Sequence, residues 1–462
     1  MPLIWHLRGG LCALGLVVLL LFAAAAGADQ ITLDIPAARE LARSAALSGR
    51  PDIARAVALG LLQRDPKDTE ALLALASAEV QLAHPQAARR AAVLAFRAAP
   101  DQEKRYVAAR LAAKAAFDQG RLTLSQYWLR RAGQLAPDAA QYQDTVLGFR
   151  QVQAQNPWRN TAELSFSPGS NVNNGSSTDR LIIDGVPTIF TFSGDAQALS
   201  GYQVGLDLGT AYRISATPRS QTEIGLRFVA NEVFLSDASR RKAPTARAAD
   251  YAYRAAEVSL THRFALRQVP VSLMAVAGRN WYGGDGLTSY ARVQANFATV
   301  LPADYGALRW QVLAERQWAF GNPGSKTDIL AFEARYDWQL GWGDRMGFRL
   351  GVVNQTAANI NAGNHAVTGE VTYALAKPVG PAQMTVGLSA TARDYPVYFG
   401  NLFNKTGRQD MRLGISVDMV FPSAQIWGFA PRLGLTASTT RSNISRFEAS
   451  DVGLQIGLAS VF

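Results

Sequence analysis

The chain has 462 residues with 46 Lys and Arg against 36 Asp and Glu, a formal net charge of +10, and only 18% of its residues are charged. So little charge is unusual for a soluble protein, whereas a mean hydropathy of −0.01 is too polar for a bundle of membrane helices. One cysteine, Cys12, and four histidines exclude disulfide scaffolds, thiolate metal sites and Cys-x-x-Cys redox motifs.

Residues 1–28 have the pattern of a secretory signal peptide. A short cationic start precedes an unbroken apolar run of about sixteen residues, which is shorter than the roughly 20 needed to span a bilayer. Ala26 and Ala28 supply the small side chains that signal peptidase requires, so cleavage is expected before Asp29. An uncleaved membrane anchor is the alternative. We expect an exported mature protein.

The composition changes once, near Pro157. Residues 29–157 are rich in alanine, the strongest helix former, whereas residues 158–462 are rich in glycine and aromatic residues, which favour twisted β-structure. The sequence therefore predicts an α + β multidomain protein, with a helical domain at 29–157 and a β-domain at 158–462.

The helical block has the period of a tetratricopeptide-like repeat. Prolines that mark helix ends recur at intervals of 34 and 37 residues: Pro66, Pro100 and Pro137. Aligning the units on these prolines places the small residues Ala54, Ala88 and Ser125 at one position, and the longer third unit has extra residues near Gly120. Such an array presents a concave face to a peptide or protein, although a spacer is the alternative. The charge is too mild and dispersed for a nucleic-acid partner.

The second block alternates between apolar and polar residues along about fourteen segments. One example sets Met411, Leu413, Ile415, Val417 and Met419 against Arg412, Gly414, Ser416 and Asp418. Long and short connections are predicted to alternate between the segments, as in a transmembrane antiparallel β-barrel, with a soluble β-sandwich as the alternative. An even strand number brings both barrel ends to the short-turn side, where the helical block must then lie.

The last strand and several tryptophans fit a barrel in the bacterial outer membrane. The strand carries Leu458 on its apolar face and ends at Phe462, which resembles the signal read by the outer-membrane barrel assembly machinery. Tryptophans lie near predicted strand ends, where aromatic girdles contact lipid: Trp310, Trp318, Trp338, Trp342 and Trp427. We expect the barrel in the outer membrane, the helical domain in the periplasm, and a monomer.

Charged residues on the polar face of the strands are predicted to point into the lumen: Asp207, Arg213, Glu223, Arg227, Arg412 and Asp418. Pairing among these charges is favoured over the alternative, in which they guide a client or ions. A basic run at 240–242 lies in a predicted long loop, where it is either solvated or in contact with lipopolysaccharide.

Several short motifs resemble the surface lipoprotein assembly modulator family. They are Arg408-Gln409-Asp410, the segment Gly428 to Leu433 with Pro431, Ser442-Asn443-Ile444 with Phe447, and the Asn-rich stretch Ser170 to Asn173. The order of signal peptide, helical repeats and barrel is also that of the family. The resemblance implies a protein that displays client lipoproteins or secreted proteins on the cell surface. In that function the repeats receive the client and the barrel mediates its passage.

No enzyme, cofactor or metal is expected. Only His262 and His365 fall in the barrel, at opposite predicted rims, and no Gly-x-Ser-x-Gly motif is present. Asp285 in a glycine-rich stretch is a candidate cation ligand, but a turn is favoured there. The principal rival function is a passive or polysaccharide-exporting pore. A polysaccharide exporter is expected to have more helical repeats than this chain has. A structural anchor is the third possibility.

The signal-peptide prediction is testable by mass. We expect the protein isolated from outer membranes to begin at Asp29, whereas Ala28→Tyr, which places a bulky side chain next to the scissile bond, should retain residues 1–28. Intact-mass spectrometry distinguishes the two forms. A native protein that keeps its leader would contradict the prediction.

Overall fold

The structure, a computed structural model, describes residues 33–302, 306–399 and 406–460. The predicted cleavage site and Phe462 therefore lie outside the described residues. The described chain begins with helices and continues into a closed antiparallel barrel of fourteen strands. The predicted fold class is confirmed.

Seven helices precede the barrel in the described part of the chain. They are α1 (Ile35–Leu47), α2 (Pro51–Arg64), α3 (Thr69–Gln81), α4 (Pro85–Ala98), α5 (Gln102–Asp118), α6 (Leu122–Leu135) and α7 (Ala139–Gln155). Aspartate side chains accept hydrogen bonds from first-turn N–H groups of α1, α3, α5 and α7: Asp34, Asp68, Asp101 and Asp138. Pro51 and Pro85 begin α2 and α4. Proline has no backbone N–H, and none is needed at this position because the first N–H of a helix has no partner within the helix. The helices therefore form three hairpins and a terminal helix.

Small residues at matching positions let the helices pack closely. Ala54 and Ala88 are fully buried and Ser125 is 1% exposed, so the position at which the alignment on the prolines places small residues is a buried one. The buried Ser125 hydroxyl donates to the Ala113 carbonyl at 2.8 Å, which satisfies its polar group. The extra residues of the third unit lengthen α5, which has 17 residues against 13 in α3, and Gly120 supplies the following turn with φ +70°.

The barrel consists of β1 and β4 to β16. The strands are β1 (Trp158–Gly169), β2 (Arg180–Ile183), β3 (Val186–Thr191), β4 (Gly201–Ala216), β5 (Ser220–Leu235), β6 (Tyr253–Leu266), β7 (Val269–Tyr282), β8 (Asp285–Val300), β9 (Ala307–Ala319), β10 (Asn322–Gln339), β11 (Arg345–Ala357), β12 (Asn364–Ala374), β13 (Gln383–Tyr395), β14 (Arg408–Val420), β15 (Phe429–Ser442) and β16 (Ala449–Ser460). Each barrel strand pairs with its sequence neighbour in the barrel, and β1 also pairs with β16. The strands β2 and β3 form a separate hairpin within the first long loop.

Closure and an apolar outer wall exclude the soluble sandwich. Met411, Leu413 and Ile415 on one face of β14 are 45%, 50% and 48% exposed, although all three are apolar. A closed sheet leaves no strand edge unpaired, so apolar residues can cover its outside in lipid. Among the described residues, no helix is long and apolar enough to cross a bilayer.

Long and short connections do not alternate strictly, so that part of the prediction is wrong. The connections between β7 and β8 and between β9 and β10, which strict alternation requires to be long, are tight turns of two residues. Gly283 and Gly284 have φ +63° and +91°, the two positive values that a two-residue hairpin turn needs. The glycines therefore let both strands continue, and Asp285 pairs with Tyr282 in the ladder as the first residue of β8.

The alanine packing makes a stability prediction. Ala112 is fully buried in the helical core, so Ala112→Leu should destabilise the helices by about 1–3 kcal/mol through overpacking. Urea unfolding of the full chain in detergent, followed at 222 nm, measures this. The control Ala140→Leu, at an exposed position of α7, should change little. Equal effects of the two variants would contradict the packing described.

Candidate functional site: the lumen and the two ends of the barrel

The helical part docks on the short-turn end of the barrel through Arg130 of α6. Its guanidinium donates to the Gly428 carbonyl at 3.3 Å and to the Ser460 hydroxyl at 3.2 Å. It also lies 4.8 Å from the Phe149 ring of α7 and 4.7 Å from the Phe429 ring of β15. Burial lowers the pKa of Arg130, as expected for a cation held between two rings.

The turn before β15 is built for this contact. Trp427 and Gly428 have φ +54° and +75°, which gives a two-residue turn between Ile426 and Phe429. Gln134 accepts the Trp427 N–H at 3.3 Å, and the Arg131 guanidinium lies 5.2 Å from the Trp427 ring. The Trp427 ring, predicted for an aromatic girdle, thus contacts the helical part through Arg131 and is 48% exposed.

Arg213 at the end of β4 joins the last helix to the barrel rim. Its guanidinium donates to the Ala154 and Gln155 carbonyls at 2.8 Å each, so it satisfies unpaired carbonyls at the C-terminus of α7. The Asn156 side chain donates to Gln126 at 2.8 Å and accepts the N–H of Trp158 at 3.0 Å. Of the six charges predicted for the lumen, Arg213 thus acts as a helix cap at the rim.

Three of the predicted lumen charges are ion-paired on the inner wall near β4 to β6. Arg227 pairs with Asp207 at 2.5 Å across neighbouring strands. Glu223 receives two arginines, Arg159 at 2.8 Å and Arg263 at 2.7 Å. These pairs bridge strands on the polar face and cross-link the wall.

The other two predicted charges lie on β14. Asp418 pairs with Arg432 of β15 at 2.7 Å. Arg412 donates to the Ser438 hydroxyl at 3.0 Å and forms no ion pair with a residue of the described ranges. The prediction that the lumenal charges pair with one another therefore holds for Asp418 but not for Arg412.

Sequence reasoning missed most of the lumenal ion pairs. Arg292 contacts Glu257 at 3.6 Å and Glu315 at 2.6 Å, and Arg349 contacts Glu333 at 3.3 Å as well as Glu370. These pairs were predictable from oppositely charged residues at polar positions of consecutive strands. The strand register places such residues side by side.

At the long-loop end, the motif residues Arg408 and Asp410 form a nearly buried ion pair. Their atoms approach to 2.5 Å, and the side chains are 13% and 10% exposed. The guanidinium lies 3.2 Å from the Phe447 ring, 4.2 Å from the Tyr395 ring and 5.7 Å from the Tyr398 ring. Burial raises the pKa of the Tyr398 hydroxyl in its loop. The aromatic cage therefore fixes the last long loop against β13 and β14.

Asn443 connects three loops at the same end. Its amide donates to the Asp184 side chain and to the Gly407 carbonyl, each at 2.9 Å. Its side-chain oxygen accepts the Gln409 N–H at 2.8 Å, and the Ser442 hydroxyl accepts the N–H two residues further on. The family-like motifs thus separate in space: Gly428 lies at the docking turn, and Asn443 and its neighbours lie at the opposite mouth.

The first long loop lies in this mouth. Asp451, on the polar face of β16, accepts the Ser170 hydroxyl at 3.0 Å and the Asn171 N–H at 2.9 Å. Gln203, on the polar face of β4, donates to the Val172 carbonyl at 3.1 Å. Val172 is 8% exposed in a small apolar cluster with residues of β5. The Asn-rich stretch therefore anchors the loop from inside the barrel wall.

The other candidates form no shared centre. Nδ1 of His262 lies 2.9 Å from the Thr222 hydroxyl on the outer wall, far along the chain and barrel from His365. The basic run forms the end of α8 (Asp237–Lys242), and Lys242 donates to the Ala198 carbonyl at 3.1 Å. Among the described residues, no three His, Cys, Asp or Glu side chains could hold a metal ion together.

The comparisons with known proteins find only distant structural likeness. No family model and no curated protein matches the chain. OprB of Pseudomonas putida is similar at 10% identity and a TM-score of 0.38, over 68% of this chain and 96% of that one. A bacterial polysaccharide outer membrane secretin is similar at 8% identity and a TM-score of 0.34, over 65% and 98%.

A third similar structure is Wzi, an outer membrane protein involved in group 1 capsule assembly in Escherichia coli. It has 12% identity and a TM-score of 0.31, over 73% of this chain and 92% of that one. Likenesses this low carry no conclusion about function. Closure and the apolar outer wall give this chain the architecture of an outer-membrane β-barrel protein, and its resemblance to the surface lipoprotein assembly modulator family stays a prediction.

The docking contacts can be tested by distance measurement. Arg130→Ala removes two hydrogen bonds and the ring contacts, an expected loss of about 1–3 kcal/mol at the interface. Spin labels on cysteines introduced at the exposed positions Arg97 and Arg219 should give a narrow distance distribution in the parent and a broad one in this variant. The control Arg150→Ala, exposed on α7, should keep it narrow. An unchanged distribution in Arg130→Ala would contradict the docking.

Proposed function

We propose that this protein is an outer-membrane translocator or assembly factor that exports or displays client proteins on the cell surface. The helical repeats lie in the periplasm and receive the client, and the barrel mediates its passage. The proposal rests on how the helical part is placed on the barrel.

The observation that carries the proposal is a groove that leads to the barrel rim. A cavity of about 630 Å³ lies between α5, α6 and α7. Its lining includes Tyr106, Arg110, Gln141, Gly148, Gln151 and Gln155. The Gln155 carbonyl is held by Arg213 of the barrel, so a ligand in the groove is held beside the barrel end.

The lining chemistry suits an extended polypeptide. Amide side chains such as Gln141 and Gln151 can both donate to and accept from a peptide backbone. Val107 and Leu111 provide apolar surface for client side chains. Arg110 is paired with Asp144 at 2.5 Å, so its charge is already balanced. The groove therefore favours backbone recognition over recognition of a charged ligand.

The contacts at the long-loop end of the barrel favour a passage that opens for a client, and they are less suited to a permanently open pore. The first long loop is anchored to Asp451 and Gln203 on the inner wall. Asn443 ties this loop to two others. A client would pass only if these contacts open, which fits export of chosen proteins better than passive conduction.

The test compares a blocked groove with a matched surface change. A Cβ added at Gly148 would lie 3.8 Å from Leu129, an ordinary contact, so Gly148→Trp should fold and fill the groove. The control Arg150→Trp places the same side chain on the exposed side of α7. Surface proteins are released by protease from intact cells and quantified by mass spectrometry. We expect the same client to disappear in Gly148→Trp and in a deletion of residues 29–157, and to remain in the control.

Barrel assembly is checked by heat-modifiable migration in each strain. A surface proteome unchanged by the deletion would refute the export function and favour a structural anchor. Loss of surface polysaccharide with unchanged surface proteins, together with a wide sugar-permeable channel in single-channel recordings, would instead favour the polysaccharide pore.

A further inference from the structure

Two arginine pairs in the lumen each share one carboxylate. In the first triad, Arg159 and Arg263 bind Glu223 at 2.8 and 2.7 Å, and the Gln221 amide donates to the same carboxylate. Each guanidinium and the carboxylate carry unit charges, so the triad has a net charge of +1.

The second triad, on β9 and β10, also combines two arginines with one carboxylate. Arg309 and Arg335 both pair with Asp337, the latter at 3.0 Å. This triad also has a net charge of +1. Both triads lie near the short-turn end of their strands.

Burial differs between the acids and the arginines. The Glu223 and Asp337 side chains are 8% and 14% exposed, whereas the arginines are between 37% and 56% exposed. The carboxylates are thus covered by the guanidinium groups, and free N–H donors face the lumen. An arginine that is held in place but still exposed is well suited to bind an oxyanion with two parallel hydrogen bonds.

One cavity brings the two triads together. It has a volume of about 600 Å³ and is lined by Arg263 of the first triad and by Arg309 and Arg335 of the second. Arg219 lines it as well, and so does Glu333, whose charge is balanced by its ion pair with Arg349. A second cavity of about 500 Å³ shares Arg309 and Arg335 and adds Arg345. Arg219 and Arg345 form no ion pair within residues 33–302, 306–399 and 406–460, which increases the positive surplus.

Farther from the short turns, the lumenal charge reverses. Arg227 and Arg292 share three carboxylates: Asp207, Glu257 and Glu315. Arg349 contacts two more, Glu333 and Glu370. Glu257 lies six residues before Arg263 on β6, and Glu315 lies six residues after Arg309 on β9. Both acids are therefore farther from the short turns than the arginines. On β4 to β12 the surplus of arginine therefore lies toward the short-turn end of the lumen. Arg412 of β14, which forms no ion pair with a described residue, lies nearer the long-loop end.

We propose that the short-turn end of the lumen is a binding site for a polyvalent oxyanion, a ligand that carries several carboxylate or phosphate groups. The two triads supply the donors, and Arg219 and Arg345 extend the positive surface. The acidic residues farther from the short turns repel the same ligand. The ligand is therefore held at the short-turn end of the lumen. The site does not depend on the client proposed above.

The decisive variant removes one arginine from each triad. Arg263→Gln with Arg309→Gln leaves Glu223 paired with Arg159 and Asp337 paired with Arg335, so neither carboxylate loses its last partner. Both triads become neutral. The control is Arg316→Gln, which removes one positive charge from the outward face of β9, where Arg316 pairs with Asp328 at 2.6 Å.

Binding is measured by isothermal titration of the full chain in a non-ionic detergent, with inorganic tripolyphosphate and with citrate as probes. We expect the parent to bind at least one probe at low salt, more weakly as salt rises, because the attraction is screened. The double variant should bind at least about tenfold more weakly, and Arg316→Gln should bind like the parent. The stronger probe identifies the preferred group, phosphate or carboxylate.

Three results would overturn the proposal: no binding of either probe by the parent at low salt, parent-like binding by the double variant, or an equal loss in Arg316→Gln. Heat-modifiable migration verifies that each variant is folded. If the double variant does not fold, the single variants Arg263→Gln and Arg309→Gln replace it, each with a smaller expected loss, and parent-like binding by both would reject the site.

Discussion

Closure of the sheet is the constraint on which the rest of the structure depends. The strand β1 pairs along its whole length with β4, and it closes the sheet by pairing with β16 at Phe166 with Ile456 and at Gly169 with Gly453. A lipid environment offers no other partner to a backbone N–H or carbonyl. Once the sheet is closed, alternate side chains have only two destinations, lipid or lumen, and the apolar and charged residues of β14 divide accordingly.

Closure also brings the two chain segments that flank the barrel to the same end. The strand β1 follows α7 directly, and β16 ends beside the docking turn at Gly428. Arg130 contacts both the docking turn and the last strand. Arg213 of the barrel caps the C-terminus of α7. The helical groove and the arginine-rich part of the lumen consequently lie at the same end of the barrel, and the loop anchored by Asp451 lies at the other.

The sequence was most informative where one local rule decides the outcome. Period-two alternation sufficed for the barrel wall, and spacing between prolines sufficed for buried positions such as Ala88. The sequence was not informative where a side chain binds a distant segment of the chain. The polar periodicity indicated the strand face on which Arg213 lies, but it did not indicate that Arg213 binds carbonyl groups of α7. Trp427 has a strand-end position typical of a girdle, and this position did not indicate its contact with Arg131 of α6. The turn predicted at Gly283 and Gly284 is confirmed, whereas strict alternation of long and short connections failed there because glycine permits both long loops and two-residue turns.

The central claim is that alternate residues of the β-strands face lipid, and β14 offers a direct measurement. The only cysteine, Cys12, lies in the predicted leader, so single cysteines can be placed at 411 to 415 and labelled with a fluorophore after reconstitution into bilayers. Quenching by brominated lipid chains should be strong at positions 411, 413 and 415 and weak at 412 and 414. A pattern without this two-residue period, or equal quenching at all five positions, would contradict a lipid-embedded barrel.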